Sequence, residues 1–387
     1  MLRERLPLVE YLIATYFFLQ ALDPFHFTLL PSLIGFVLLS LLKFFTEGLR
    51  TTYILTLLIQ FIILLIPNLY IRLILATLVV LIIRFFPIYR YPDPMGKYQV
   101  GYKGFTIPGE TSFGVYYPTT EKTQDVQYSP CPNSNQRFAD IMKFSADFNG
   151  KKTLPEVMYK LSFDFLRHQY LGVNKDAKLI PNPNKFPVII FSHGLSANIH
   201  LYSLLLKEWA SNGFIIFSVD HDEEIDVQYS KKLKSNEKYL KLRNEQLQVR
   251  KKTVLRILDM VSDPSYIHKI FNNQEINLDY SRLFLAGHSF GGGTTAELAT
   301  EDKRITGGLV LLDPWFESND ENLLFKKIKK PILVLRSEEF ETNVKNRRRV
   351  MMYSEVNSKE GGLCLAGYFK VQCIIHRQIL CYLCQEN

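Results

Sequence analysis

Ser289 sits in Gly287-His288-Ser289-Phe290-Gly291, after the apolar run Arg282–Ala286 and before a helical stretch expected to begin near Thr294. A serine hydroxyl is a weak nucleophile at neutral pH. It becomes useful only where a histidine takes its proton and a carboxylate orients that histidine. The G-x-S-x-G string alone is a weak signal. Its place between a predicted strand and a predicted helix points to a nucleophile elbow, in which glycines on both sides permit the sharp turn. In such a fold the partners follow in the order Ser, acid, His. The acid candidate is Asp313, at the carboxyl end of the run Leu309–Leu312, with Glu338 and Glu339 as fallbacks. Carboxyl ends of parallel strands open on one crevice, so Asp313 is expected to face Ser289. A glycine-rich turn around an ordinary serine, and a turn aspartate before Pro314, are the plain alternatives.

An acyl-transfer site also needs two N–H groups aimed at the developing oxyanion. One is expected from Phe290, after the nucleophile. The other is expected from Leu195, in the turn Phe191-Ser192-His193-Gly194-Leu195. His193 and His288 precede Asp313 and are expected to be structural. His376 is the only histidine after Asp313, and so the only one in the required chain order.

The elements that would position these residues are legible as hydrophobic runs. Phe186–Ser192, Phe214–Val219, Arg282–Ala286, Leu309–Leu312 and Pro331–Leu335 are apolar without polar alternation, as strands buried on both faces require. Leu240, Leu247, Val254 and Val261 repeat on one helical face. Strands alternating with helices imply an α/β domain with a mostly parallel sheet and helices on both faces. Shorter runs such as Phe113–Tyr117, among Pro92, Pro94, Pro108 and Pro118, imply an antiparallel start.

The chain has 387 residues, enough for one large domain and an appendage, and its 47% hydrophobic content excludes wholesale disorder. Five cysteines exclude a disulfide scaffold. The apolar residues are concentrated near the start, in runs Leu6–Leu22, Phe27–Phe45, Tyr53–Pro67 and Leu69–Ile88. Four such runs are expected to be a multi-pass membrane anchor over residues 1–90, with a hydrolase domain over 91–387. Arg3, Arg5, Lys43, Arg50, Arg84, Arg90, Lys97 and Lys103 lie on the sides that the positive-inside rule assigns to the cytosol, which puts the catalytic domain there.

The strings FGVYYPTT, FSHGLSANIHLYS, WASNGFIIFSVDHDEE, LRNEQLQVR, LFLAGHSFGGGT and LVLLDPW resemble, in order and spacing, the platelet-activating factor acetylhydrolase family, a group VII phospholipase A2-like set of serine esterases. The resemblance covers roughly Gly101 to Glu339, and the Asn244-Glu245-Gln246 segment is less generic than the serine motif. It implies an α/β-hydrolase fold, a Ser-Asp-His triad that needs neither calcium nor another metal or cofactor, and removal of short or oxidised sn-2 acyl groups from phospholipids. Carried over by position, it implies Ser289 as nucleophile, Asp313 as acid, and Leu195 and Phe290 as oxyanion donors. The N-terminal anchor is outside the secreted members' pattern.

The chain departs from that family after Gly361. The expected Gly-Ser/Thr-x-His turn is replaced by Gly361-Gly362-Leu363-Cys364-Leu365-Ala366-Gly367-Tyr368, and His376 lies in Ile374-Ile375-His376-Arg377. Either Tyr368–Ile375 is the last strand and His376 its loop histidine, or the tail is an out-of-frame product. The codons possible for Lys370 to Ile379 permit Gly-Thr-Met-His-x-Ser-Gln-x-Asp in another frame. Cys364, Cys373, Cys381 and Cys384 around His376 match no zinc-finger spacing, so no metal is expected.

The net charge of +8 suits either nucleic acid or an anionic membrane. Lys231 to Lys252 holds nine basic and two acidic residues, with a single aromatic, Tyr239, and no known module, so a solvated or lipid-facing helix is expected rather than nucleic-acid binding. Arg347-Arg348-Arg349 reads the same way. A general carboxylesterase or lipase, and a catalytically dead lipid-binding membrane protein, remain the competing functional readings.

Overall fold

The computed structural model describes residues 3–5, 8–22, 34–35, 37–42, 51–66, 68–85, 88–107, 111–127, 155, 169–181, 185–195, 197–221, 236–272, 276–358 and 364–369. Two compact units are present. One is formed by Met1–Pro92, Gln127–Pro130 and Leu154–Gly172, the other by Asp93–Val126, Cys131–Thr153 and Val173–Asn387.

In the first unit, helices α1 (Leu8–Leu22) and α2 (Thr51–Leu65) pack on α3 (Leu69–Phe85), and a short antiparallel ribbon joins Arg3–Arg5 to Ile88–Arg90. Among the described residues no helix is long and apolar enough to cross a membrane, so the expected four spans are not found. The three helices have 15, 15 and 17 residues. At 1.5 Å per residue they reach only about 22–26 Å, short of the roughly 30 Å hydrocarbon layer. Prolines and polar residues explain the shortening: α1 stops before Asp23-Pro24, and Pro67-Asn68 separates α2 from α3. Most of the expected span Phe27–Phe45 lies outside the described residues. The exterior is as apolar as the interior, which holds Ile13, Ala14, Ile63, Val79 and Ile83. Glu10, Thr56, Gln60 and Arg72 are buried, while Leu12, Leu19, Leu55, Leu58, Leu65 and Ile74 are each about half exposed or more.

The second unit carries a mixed sheet. Its main strands are β1 (Gln99–Ile107), β2 (Thr111–Thr119), β3 (Phe186–Ser192), β4 (Ile215–Val219), β5 (Leu278–His288), β6 (Gly308–Leu312), β7 (Ile332–Ser337) and β8 (Cys364–Phe369), with Asp125–Gln127 and Tyr170–Lys175 as short additions at the β1 edge. Their spatial order is β1-β2-β4-β3-β5-β6-β7-β8. β1 and β2 form a hairpin, β2 runs antiparallel to β4, and every pairing from β4 to β8 is parallel. The swap of β3 and β4 reverses the direction of winding and puts β3 beside β5. That crevice, at the strands' carboxyl ends, is where an open α/β sheet binds its ligand.

Helices cover both faces. α4 (Ser203–Ser211) lies beside β2 and β4, and the Phe191 ring meets Tyr202 and Trp209 there. Val188 and Ile190, alternating with Phe191 along β3, belong to the main core with Val254, Ile257 and Val261 of α5 (Asn236–Ser262). The same core takes in Ala296 and Leu298 of α7 (Phe290–Glu301) and Val350 and Tyr353 of α8 (Val344–Ser358), while α6 (Pro264–Ile270) caps its end through Ile267 and Ile270. These features are those of an α/β-hydrolase-type fold.

Two boundaries differ from the sequence expectation. α7 begins at Phe290 rather than near Thr294, so its first turn contains Gly291, Gly292 and Gly293. The last described strand is Cys364–Phe369, paired residue for residue with Ile332–Ser337, so it begins before Tyr368, and residues 370–375 of the expected strand lie outside the described residues.

Candidate active site

Ser289 is the residue between β5 and α7, and its backbone is left-handed, with φ 52° and ψ −116°. Such a conformation is costly for a residue with a Cβ and persists only where the surroundings hold it. Here the hold is a pair of backbone bonds. The Ser289 N–H donates to Leu312 O at 2.9 Å, and Ser289 O accepts from Trp315 N–H at 2.9 Å. The close approach of α7 adds a steric constraint. A Cβ on Gly291 would lie 2.1 Å from Ser192 O, so only glycine lets the helix start against the end of β3. The hydroxyl-bearing residue stays partly exposed, while its neighbours His288 and Phe290 are buried.

Asp313 follows the strand whose last residue receives the Ser289 N–H, so two successive residues tie the nucleophile candidate and the acid candidate together. Asp313 is also left-handed, at φ 43°. Its N–H donates to Leu335 O at 2.8 Å, and its Oδ1 accepts from Ser337 N–H at 2.5 Å. Asn346 of α8 clamps the following loop, accepting from Phe316 N–H at 2.8 Å and donating to Pro314 O at 2.9 Å. Of the fallback acids, Glu338 is exposed in the helical turn Glu338–Glu341.

His376 lies outside the described residues. The strand before it, β8, runs parallel to β7, so the chain leaves Phe369 at the same carboxyl edge that carries Ser289 and Asp313. The cysteines Cys373, Cys381 and Cys384 lie outside the described residues as well, and Cys364 is a free thiol. Among the described residues no group of three or more His, Cys, Asp or Glu side chains could hold a metal ion.

Phe290 opens α7, where the first N–H groups of a helix have no intrahelical acceptor. Leu195 follows Gly194 in the turn after β3, and Gly194 abuts Ser289: a Cβ built on it would lie 3.4 Å from Ser289 Cβ. Histidines pack behind these two donor candidates. The Tyr202 hydroxyl accepts from Gly194 N–H at 3.0 Å and lies 2.8 Å from His288 Nδ1, so one phenol oxygen joins the turn to the His288 ring. Burial, and secondarily the neighbouring His193, push His288 down to about 3. His193 is lowered mainly by burial and also by the Arg250 charge, against an opposing pull from Asp220. Its Nε2 accepts from His221 N–H at 3.0 Å, so its proton sits on Nδ1, 2.7 Å from Gly194 O. Both rings are neutral scaffolding.

Sequence reasoning missed the support behind the elbow. Glu297 of α7 accepts from Gln248 and Lys251 of α5 at 2.8 and 3.0 Å, and from Asn319 of the acid loop at 3.0 Å. Asn244 donates to Ser318 O at 2.9 Å. The polar residues around the Asn244-Glu245-Gln246 string are thus explained as a joint between α5, α7 and the Asp313 loop. Only the polar side chains on an otherwise apolar helix face hinted at it.

The family model described as platelet-activating factor acetylhydrolase, isoform II, matches residues 83–367, a range that includes Ser289 and Asp313 and ends before His376. A platelet-activating factor acetylhydrolase from Canis lupus familiaris is 27% identical over 294 residues, covering 67% of this chain and 63% of that protein. One from Bos taurus is 32% identical over 185 residues, covering 41% of each. The chain therefore spans less than two thirds of the length of these curated relatives. A ferulic acid esterase structure from Streptomyces cinnamoneus aligns with TM-score 0.48 and 16% identity, over 72% of this chain and 75% of that one.

Proposed function

Because the chain belongs to the platelet-activating factor acetylhydrolase, isoform II, family, we propose that it hydrolyses the sn-2 acetyl, short or oxidised acyl ester of a phospholipid through a serine acyl-enzyme. Ser289 Oγ attacks the ester carbonyl while a histidine base takes its proton. The carbonyl oxygen gains the charge and is met by the N–H groups of Leu195 and Phe290. The lysophospholipid oxygen leaves with the proton from the histidine. Water then gives its proton to the same base, attacks the acyl carbon and releases the carboxylic acid. His376 is the residue we assign as base, and Asp313 orients it. The observation that carries this reading is the left-handed Ser289, locked by Leu312 and Trp315 beside the residue that would orient the base.

We also assign the first unit to a bilayer, as a multi-pass anchor with the catalytic unit on the cytosolic side. Its support is the apolar exterior, with leucines outside and Glu10, Thr56, Gln60 and Arg72 inside beside Ile13, Ile63 and Val79, because intramembrane polar residues face the bundle interior. Helices somewhat shorter than the hydrocarbon layer are accommodated by local thinning of the bilayer. A hydrolase tethered there needs little diffusion to meet amphiphilic esters.

The test is turnover of phospholipids whose sn-2 chain grows from acetyl to long acyl, alongside p-nitrophenyl esters. We expect kcat/KM to fall steeply as the sn-2 chain lengthens. A flat profile would favour a general carboxylesterase, and absence of turnover of any ester would favour a lipid-binding protein without catalysis.

A further inference from the structure

Gly194 and Leu195 share one peptide unit, so the direction of the Gly194 carbonyl decides where the Leu195 N–H points. No cis peptide bond is present among the described residues. In a planar trans peptide the C=O and the following N–H point in opposite directions. A glycine on one side of that peptide lets it rotate with little steric resistance. The sequence cannot replace this glycine, because a Cβ there would lie 2.9 Å from His288 Nδ1 and 3.0 Å from the Tyr202 hydroxyl. Something else must therefore hold the peptide.

Three donors converge on the Gly194 carbonyl. His193 Nδ1 lies 2.7 Å away, Ala197 N–H donates at 3.2 Å and Arg250 Nη2 at 3.4 Å. Arg250 also donates from Nη1 to His193 O at 2.6 Å, so one guanidinium grips two successive carbonyls of the turn. The same group lies over the Phe290 ring, 4.5 Å from its centroid. Arg250 comes from the middle of α5 and is 1% exposed. A charged side chain so deeply buried has to be held by its acceptors, and here those include the backbone of the turn that supplies one oxyanion donor.

We propose that Arg250, with the Nδ1–H of His193, is a positioning residue for the oxyanion hole: it pins the Gly194 carbonyl away from the substrate and so turns the Leu195 N–H toward the oxygen that becomes negative. This rests on the hydrolase reading of Ser289. Arg250 touches no reacting atom. Its contribution is to stop the peptide from rotating into an orientation that would present a carbonyl, rather than an N–H, to the developing charge.

The test uses the full-length chain with Arg250→Met, Arg250→Lys, His193→Asn and His193→Gln, kinetics on a short-chain ester, inhibition by a trifluoromethyl ketone, and crystal structures. Arg250→Met is expected to lower kcat by about 10²-fold, the order seen when one oxyanion donor is lost, with KM within about threefold. The ketone, which forms a tetrahedral adduct, is expected to weaken in proportion to kcat/KM. Arg250→Lys should recover part of the rate. Asn places an amide nitrogen near the His Nδ1 position, so His193→Asn should keep most activity while His193→Gln loses it. Should Arg250→Met not fold, the other three variants carry the comparison. Arg250 variants with wild-type kcat and ketone affinity would overturn the proposal. If the unmodified chain hydrolyses no ester, the functional reading fails separately. The crystal structures then decide the inference: a turned Gly194 carbonyl in the Arg250 or His193→Gln variants supports it, and an unmoved one overturns it.

Discussion

At the scale of single residues, proton placement separates the histidines that support the site from the one assigned to chemistry. His193, His200 and His288 are buried and lowered by desolvation, His200 to about 4 and His288 to about 3. In the unfolded chain an imidazole takes its proton near 6.5, so between that value and the folded ones the unfolded state binds more protons. The stability these rings contribute is full above pH 6.5 and is lost as the pH falls below it. Melting temperature measured from pH 7.5 to 5 should be flat at the upper end and decline below about 6.5. A constant melting temperature over that range would show that the rings are not buried neutral. The chain order of triads marked His193 and His288 as structural without coordinates. What order could not reveal was the Tyr202 hydroxyl joining Gly194 N–H to His288 Nδ1, because it links positions far apart in sequence.

At the scale of elements, the strands were legible because parallel strands buried on both faces are apolar throughout, and Phe186–Ser192 is observed as read. The start of α7 was not. Gly291-Gly292-Gly293 reads as a loop by propensity, yet tertiary contact overrides it: the helix passes so close to Ser192 that side chains do not fit. Gly291→Ala should therefore destabilise the protein although alanine favours helices. The expected loss is about 1–3 kcal/mol, as for overpacking of a close contact, read from the urea midpoint. An unchanged or raised midpoint would mean that the contact with Ser192 O is not made. The bracing of the oxyanion turn by α5 was equally illegible. Arg250 lies in a basic stretch that reads as a solvated face, and only the fold shows it turned inward.

At the scale of the whole molecule, the two units differ in what they expose. The second buries apolar residues beneath polar ones, and the first exposes leucines around an interior of apolar side chains with Glu10, Thr56, Gln60 and Arg72 among them. Average composition hides this contrast, since the two units offset each other in a mean hydropathy of −0.01. If the first unit is lipid-embedded, the chain should stay in the membrane pellet through alkaline carbonate extraction and come free only with detergent. Release by carbonate alone would contradict the assignment. The central claim, that Ser289 is an activated nucleophile, is tested most directly by treating the folded full-length protein with a fluorophosphonate and locating the adduct by peptide mass. The account predicts one phosphonylated residue, Ser289, with labelling abolished in Ser289→Ala; an unlabelled folded protein, or an adduct on another residue, would contradict it.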